Sequence, residues 1–220
     1  PDDLFSKDTD VTMIPGWKKM DKGVKKIIKR YARVFQKSLD KSMRTDFPPL
    51  KWPLKDFNDP VDPRPHVHKS TRCRAAPQHL RAKWHEMIQT LEGAGFIRRL
   101  GPNDPSPRYL SDAFIIPKPH STTGEVRFVC NYAKMKHIFK RDPVKQKDPF
   151  SIVAGLKDGC KNFFTADMSS GYFQLKLEDG PEGSGITAFM CELGIFEWLV
   201  VPMGMQPSSD GLSRQMMEVF

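Results

Sequence analysis

LSDAFIIPKPHSTTGEVRFVCNY, residues 110–132, holds two apolar runs, AFIIPK and VRFVCNY, on either side of the turn-like HSTTGE. Short runs rich in Ile, Val and Phe around such a turn predict the two antiparallel strands of a β-hairpin. Upstream of it, Leu80, Trp84, Met87, Ile88 and Leu91 fall on one helical face between Pro77 and Gly93, which predicts an amphipathic helix over residues 77–92. Phe96 to Arg99 then reads as a short strand. Still further upstream, KGVKKIIKRYARVFQKSL (22–39) has Val24, Ile27, Ile28, Tyr31, Phe35 and Leu39 at helical spacing. Between the two helices, residues 43–77 contain Pro48, Pro49, Pro53, Pro60, Pro63, Pro65 and Pro77, so an extended arm that connects rather than builds a core is expected there.

Downstream of the hairpin the pattern predicts a short helix near PFSIVAGL and strands near FFTAD, ITAFM and FEWLVV. A final helix begins at about Ser208. Helices mixed with antiparallel strands imply an α+β fold. The expected division is an amino-terminal helix and proline-rich arm (1–76), a hairpin-bearing region (77–150) and a strand-and-helix region (151–220).

The 220 residues, 39% of them apolar, suit one ordinary domain or two small ones. No 18-residue apolar run and no signal peptide occur, so no membrane partner is expected. Cys73, Cys130, Cys160 and Cys191 lie 30 or more residues apart, without the paired spacing of a zinc site or a disulfide framework. An intracellular, reducing setting follows, its compartment unspecified. The sequence opens on Pro1 without a methionine, so a piece of a longer protein is expected, and organellar targeting is left open.

The net charge of +9 is concentrated: residues 1–110 carry 23 Lys/Arg against 13 Asp/Glu, whereas 111–220 carry 12 against 13. Within the second half, RFVCNYAKMKHIFKRDPVKQK (127–147) holds seven basic residues and one acid. Either segment alone reads equally well as a solvated face; two of them favour phosphate contacts, in particular by Lys134, Lys136, Lys140 and Arg141. Other chemistry is excluded by pattern. His85-Glu86 lacks the second histidine of a zinc-protease helix, since Gln89 stands there, and His66-x-His68 has no third ligand nearby. Neither a phosphate-binding G-x-x-x-x-G-K-[ST] loop nor a G-x-S-x-G nucleophile elbow is present.

Four segments in order carry a resemblance to a known family: RAAPQHLRAKWHEMIQTLEGAGFIRRL (74–100), the hairpin 110–132, FFTADMSSGYFQLKL (163–177), and ITAFMCELGIFEWLVVPMGMQPSSDGLSRQMM (186–217). Together they resemble the fingers and amino-terminal palm of reverse transcriptases, most closely those of gypsy-type LTR retrotransposons. The resemblance implies that Asp167 is a catalytic metal ligand, helped by the Met168 carbonyl. It implies that Tyr172 forms the floor under the incoming sugar, and that Lys118 and Arg127 grip the triphosphate. Met203-Gly204 would sit beside the template base, where glycine permits close approach. Read from the residues alone, the favoured reading is the structural one: Tyr172 and Phe173 as core aromatics, and Arg127 as a surface partner of Glu125 or Asp112.

Departures from the family pattern accompany the matches. Asn131-Tyr132-Ala133 replaces the usual Asp-Tyr-Arg, and Met205-Gln206-Pro207-Ser208-Ser209 replaces Leu-Thr-Asn-Ala-Pro. Pro117 and Pro119 flank Lys118 where the family has a lysine run. The Tyr-x-Asp-Asp motif would fall after Phe220, and Glu178, Asp179 and Glu182 follow Asp167 on the same segment rather than on a neighbouring strand. One carboxylate does not make a two-metal site. The expectation is a reverse-transcriptase-derived nucleic-acid-binding fragment, by descent part of an RNA-directed DNA polymerase and not catalytically complete as given. It would use Mg²⁺ only if further residues complete the site, and bind RNA or RNA–DNA hybrid. The alternative is a non-catalytic, domesticated retroelement fragment serving as an RNA-binding or scaffold subunit of a larger ribonucleoprotein; a protein-only binding module is a third reading. A partial palm would leave apolar faces for a protein partner or a carboxy-terminal half to cover.

Overall fold

A computed structural model describes residues 11–14, 16–32, 46–56, 68–69, 73–119, 124–140, 144, 148–156, 159, 168 and 170–219. The expected strand 163–167, the continuation of the first helix beyond Ala32 and most of the arm between 57 and 72 lie outside them. Helix α1 spans Lys22–Arg30, capped by the Asp21 carboxylate, which accepts from Gly23 N. Its apolar residues share a face as expected, yet Val24, Ile27 and Tyr31 are exposed.

Helix α2, Arg81–Gly93, is preceded by a single 3₁₀ turn, Gln78–Leu80, that starts after Pro77. It buries Trp84, Ile88 and Leu91, and Gly95 at φ 67° turns the chain sharply into the sheet. The strands are β1 (His68–Lys69), β2 (Ile97–Arg99), β3 (Tyr109–Pro117), β4 (Val126–Cys130), β5 (Phe189–Cys191) and β6 (Gly194–Trp198). Short helix α3 (Pro149–Ala154) and helix α4 (Ser208–Val219) complete the regular elements. The hairpin is present, with Ala113 opposite Cys130 and Pro117 opposite Val126.

The sheet is mixed rather than antiparallel throughout. Its order is β1-β3-β5-β6-β2, with β4 also paired to β3. β1 and β5 each run parallel to β3, pairing with Tyr109–Leu110 and with Ser111–Asp112 respectively. The expected strand over ITAFM begins only at Phe189, because Ser184–Thr187 forms a 3₁₀ turn. There the Thr187 hydroxyl donates to Ser184 O at 2.6 Å and accepts from Trp198 N at 2.9 Å. A side chain thus takes one rung of the ladder. The fold is α+β, with helices packed on this sheet.

Aromatic packing joins the elements. Trp84 of α2 stacks on Phe128 of β4 at 5.2 Å, and Phe128 meets Phe189 of β5 and Trp198 of β6 edge-on at 5.3 and 5.4 Å. Trp198 in turn stacks on Phe173 at 5.2 Å. Trp52 corrects the expectation for the proline-rich arm: it is buried in the same core, and its indole N–H donates to Gly183 O at 3.0 Å. Pro48 to Lys55 lie along the protein as extended chain, with Leu50 N donating to Lys176 O and Lys140 N to Pro53 O. Against α4, the Leu50 side chain packs onto Gly211, where a Cβ would stand 2.3 Å from Leu50 Cδ1 and force that side chain to move.

Three outcomes follow for the folded chain. Trp84→Ala should cost about 3–5 kcal/mol, the range for losing a large buried aromatic, read by denaturant unfolding. Gly183→Ala should destabilise by about 1–3 kcal/mol, since its Cβ would lie 1.8 Å from Glu178 O; an unchanged unfolding midpoint would contradict that close approach. Burial pushes the Cys130 thiol up from its ordinary value of 9.0 to about 12. Because the folded state holds that proton more tightly, its stabilisation is intact below pH 9 and is lost as pH rises toward about 12. Thermal unfolding above pH 9 should therefore fall less steeply in Cys130→Ala than in the unchanged chain.

Candidate nucleic-acid and nucleotide interface

Alternation along β4 decides where its arginine points. Phe128 and Cys130 turn into the core, so Arg127 turns outward, opposite Ile116 of β3. Arg127 forms no ion pair among the described residues. The two surface partners expected for it are taken by others: Asp112 pairs with Arg74 at 2.9 Å, and Glu125 with Lys118 at 2.7 Å. Lys118 and Glu125 also close the hairpin through the Lys118 N–H to Glu125 O bond, and the lysine holds the Glu125 carboxyl below its usual range. Lys83 of α2 reaches across to Gly124 O at 2.6 Å, fixing the hairpin against the helix.

At the other end of β4 the chain turns through Asn131-Tyr132-Ala133. Asn131 Oδ1 accepts from Ala133 N, and the buried Tyr132 hydroxyl donates to Thr187 O at 3.0 Å. Burial raises the Tyr132 phenol well above its ordinary value, so it stays a neutral donor. Asn131 and Ala133 thus end the hairpin in a local turn, and Tyr132 ties it to the turn before β5. Met203-Gly204 lies against the same place. Gly204 has φ 87°, and a Cβ on it would come within 3.9 Å of Cys130 O. Ser208, at the start of α4, donates its hydroxyl back to Pro202 O at 2.8 Å and holds this turn. Met203 is half exposed. Arg127, three residues before Cys130, is about 10 Å away along the strand.

The segment that follows Asp167 joins the same neighbourhood. Ser170 adopts a left-handed conformation, and Gly171–Gln174 forms a 3₁₀ turn. Gly171 lies close to the Met168 side chain, whose Sδ would be 2.9 Å from an added Cβ and would have to shift. Tyr172 is half buried. Phe173 packs between Phe96 and Trp198, as a core aromatic does. Beyond it, Leu177 N donates to Leu199 O and Val201 N to Leu175 O, so residues 175–177 run antiparallel to 199–201, immediately before Met203. Asp167 itself and Arg141 lie outside the described residues.

The basic cluster of the second half divides between two grooves. Lys136 lines one of about 600 Å³ with Lys55, His137, Phe139 and Gln206. Lys140 lines another of about 250 Å³ between the arm and α4, alongside Asp210, Arg214 and Glu218. Lys134 is exposed. Among the described residues no group of three or more His, Cys, Asp or Glu side chains converges as metal ligands would. His85, set aside as a zinc ligand, bonds Glu192 at 2.9 Å instead. Glu178 pairs with Lys51 at 2.9 Å. Sequence reasoning missed Arg74 and Tyr132. The aromatic at 132 was visible, but nothing in its spacing indicated a partner 55 residues away.

No family model matches the chain. It is 29% identical over 113 residues to the enzymatic polyprotein of cauliflower mosaic virus, covering 51% of the chain and 16% of that protein. The retrovirus-related Pol polyprotein from transposon 297 of Drosophila melanogaster is 27% identical over 152 residues, 65% of the chain and 13% of that protein. A putative enzymatic polyprotein of cassava vein mosaic virus is 28% identical over 174 residues, 77% of the chain and 24% of that protein. The chain thus spans a quarter or less of these relatives. Among solved structures, the foamy viral protease-reverse transcriptase in complex with RNA/DNA hybrid matches with a TM-score of 0.65 at 15% identity, over 90% of the chain and 24% of that one. The same protein in complex with double-stranded DNA also gives 0.65 and 15%, over 90% of the chain and 38% of that one. The chain therefore has the fold of part of the foamy viral protease-reverse transcriptase, and its homologues are Pol-type polyproteins of viruses and a transposon.

Proposed function

We propose that this chain is the fingers and amino-terminal palm of a gypsy-type reverse transcriptase, binding RNA or RNA–DNA hybrid together with an incoming nucleotide. One observation carries the reading. Three segments far apart in sequence converge: residues 175–177 pair with 199–201, these lead into Met203-Gly204, and Gly204 abuts the end of the strand bearing Arg127. In this reading residues 77–150 are the fingers, 151–220 the partial palm, and 1–76 the arm that braces both. Arg127 grips the triphosphate, Tyr172 lies under the sugar, and Met203-Gly204 lines the template base. Lys134, Lys136, Lys140 and Arg141 neutralise phosphates. The homologues and the RNA/DNA-hybrid and DNA complexes of the fold's foamy viral relative support it.

The described residues supply no carboxylate cluster, so no chemical step is assigned to them. Mg²⁺ belongs to the reading only through Asp167 and the Met168 carbonyl, together with carboxylates from further residues. An intracellular, reducing setting belongs to it as well; the thiols of Cys73, Cys130 and Cys191 are free. No helix among the described residues is long and apolar enough to cross a membrane.

A second reading, a non-catalytic RNA-binding or scaffold subunit of a larger ribonucleoprotein, is favoured by two observations. Lys118 is engaged by Glu125 rather than open to a triphosphate. Helix α3 exposes Phe150, Ile152 and Val153, the first at 88%, a face suited to a protein partner.

Primer extension separates them. The full-length product should extend a DNA primer on an RNA template with Mg²⁺, and Asp167→Asn should abolish this. Failure of the unchanged protein to extend would leave the subunit reading standing. In either case RNA affinity should fall steeply with salt, and the salt slope should shrink when Lys134, Lys136, Lys140 and Arg141 are neutralised together; salt-independent binding would contradict both readings.

A further inference from the structure

Helix α1 takes no part in the core. None of its residues is buried, and Val24, Ile27 and the capping residue Tyr31 are 46, 60 and 46% exposed. With about 3.6 residues to a turn, Val24, Ile27, Ile28 and Tyr31 stand at i, i+3, i+4 and i+7 and form one apolar stripe about 100° wide. Lys22, Lys25, Lys26, Lys29 and Arg30 take the opposite arc. Residues 17–31 hold seven basic side chains against a single acid, Asp21, and that carboxylate is engaged at the helix N-terminus, accepting from Gly23 N at 2.7 Å.

An occupant of this helix has to cover the stripe and neutralise the arc together. Nucleic acid would meet the charges but leave Val24 and Ile27 in water. A second copy of the helix would cover the stripe while setting like charges against each other. An anionic lipid surface would answer both demands, yet Trp17, the ring suited to the headgroup level, is folded back on the helix: Lys25 Nζ lies 6.0 Å from its centre and donates to Lys18 O at 3.2 Å. Val24, Ile27 and Ile28 are β-branched and stiff at χ1, so they present a ridge of fixed shape, which suits a shaped groove better than fluid acyl chains. A protein groove with apolar walls and acidic surroundings meets every demand, and anchors at i, i+3, i+4 and i+7 are the pattern by which such grooves read a helix.

We propose that α1 is a docking helix for an acidic helix-binding protein, whose apolar groove takes Val24, Ile27, Ile28 and Tyr31 and whose acidic walls close around Lys22, Lys26, Lys29 and Arg30. The chemistry is that of a Ca²⁺-loaded EF-hand sensor, which opens a Met-rich groove when Ca²⁺ binds. This inference goes beyond the nucleic-acid reading and does not depend on it.

Fluorescence anisotropy of labelled calmodulin, titrated with the full-length protein in Ca²⁺ and again in excess chelator, tests it. Binding is expected in Ca²⁺, weakened about tenfold or more on chelation. Ile27→Ala removes an exposed side chain and improves helix propensity, so the fold and α1 are kept, as an unchanged Tm and an unchanged helical circular dichroism signal verify. It should weaken binding about tenfold, as loss of a groove anchor does. Changing Lys26, Lys29 and Arg30 together to Gln should also weaken binding and flatten its dependence on salt. No binding in Ca²⁺, equal binding after chelation, or full affinity in Ile27→Ala would each overturn the proposal. So would sedimentation with phosphatidylserine vesicles that Ile27→Ala abolishes while calmodulin stays unbound, since the stripe would then belong in lipid.

Discussion

Packing of the partly buried Phe128 against the core is the constraint on which the arrangement rests. Its ring is shared by Trp84 of α2, Phe189 of β5 and Trp198 of β6, so one side chain on β4 fixes the hairpin against both helix and sheet. Since neighbouring residues of a strand face opposite sides, an inward Phe128 compels an outward Arg127. A one-residue slip would exchange them, burying an unpaired guanidinium and exposing a phenyl ring, and both changes are unfavourable. The Lys83 bond to Gly124 O and the Lys118–Glu125 pair oppose such a slip from the hairpin's far end. The direction of the proposed phosphate contact is therefore a product of core packing.

The same core governs the second half of the site. Trp198, stacked on Phe173, ties the 3₁₀ turn that carries Tyr172 to β6. After Trp198 the chain leaves the β5–β6 ladder and passes its hydrogen bonds to residues 175–177. Leu50 pairs with the outer side of that segment, through Leu50 N to Lys176 O and Glu178 N to Leu50 O. The arm thus covers an edge that would otherwise be open for pairing with another chain. Proline suits this position, since a residue without an N–H loses nothing on the side that faces away.

Elements built from local periodicity were legible in the sequence: α2 from its apolar face and flanking proline and glycines, the hairpin from two apolar runs around a turn, and α4 from its start near Ser208. Features that depend on distant partners were not. The parallel pairings of β3 with β1 and β5 leave no local mark, because a strand's composition does not tell the direction of its neighbour. Trp52 sits among prolines, and the partners that make it part of the core, the Phe139 ring at 5.9 Å and Gly183 O, lie far from it in sequence. Thr187 reads as a strand residue by composition, yet its hydroxyl replaces a backbone rung and stops the strand short. Within the site, glycine at 204 and arginine at 127 were visible as residue types at family spacing. That Asp112 would be taken by Arg74, and Glu125 by Lys118, followed from neither.

These pairings change how the hairpin's charge is used. Lys118 and Glu125 neutralise each other at one end, and Arg74 with Asp112 at the other, so Arg127 stands between two compensated pairs. An exposed ion pair contributes little to stability, so the value of the Lys118 pair lies in orientation rather than strength. The two pairs differ in the carboxylate. Glu125 is exposed and can exchange partners with solvent, whereas Asp112 is nearly buried and would lose much more if left alone. Separating Arg74 from Asp112 would therefore cost more than separating Lys118 from Glu125. The Lys118 pair is the looser of the two and the Arg74 pair the firmer, and the exposed Arg127 stands on the strand between them.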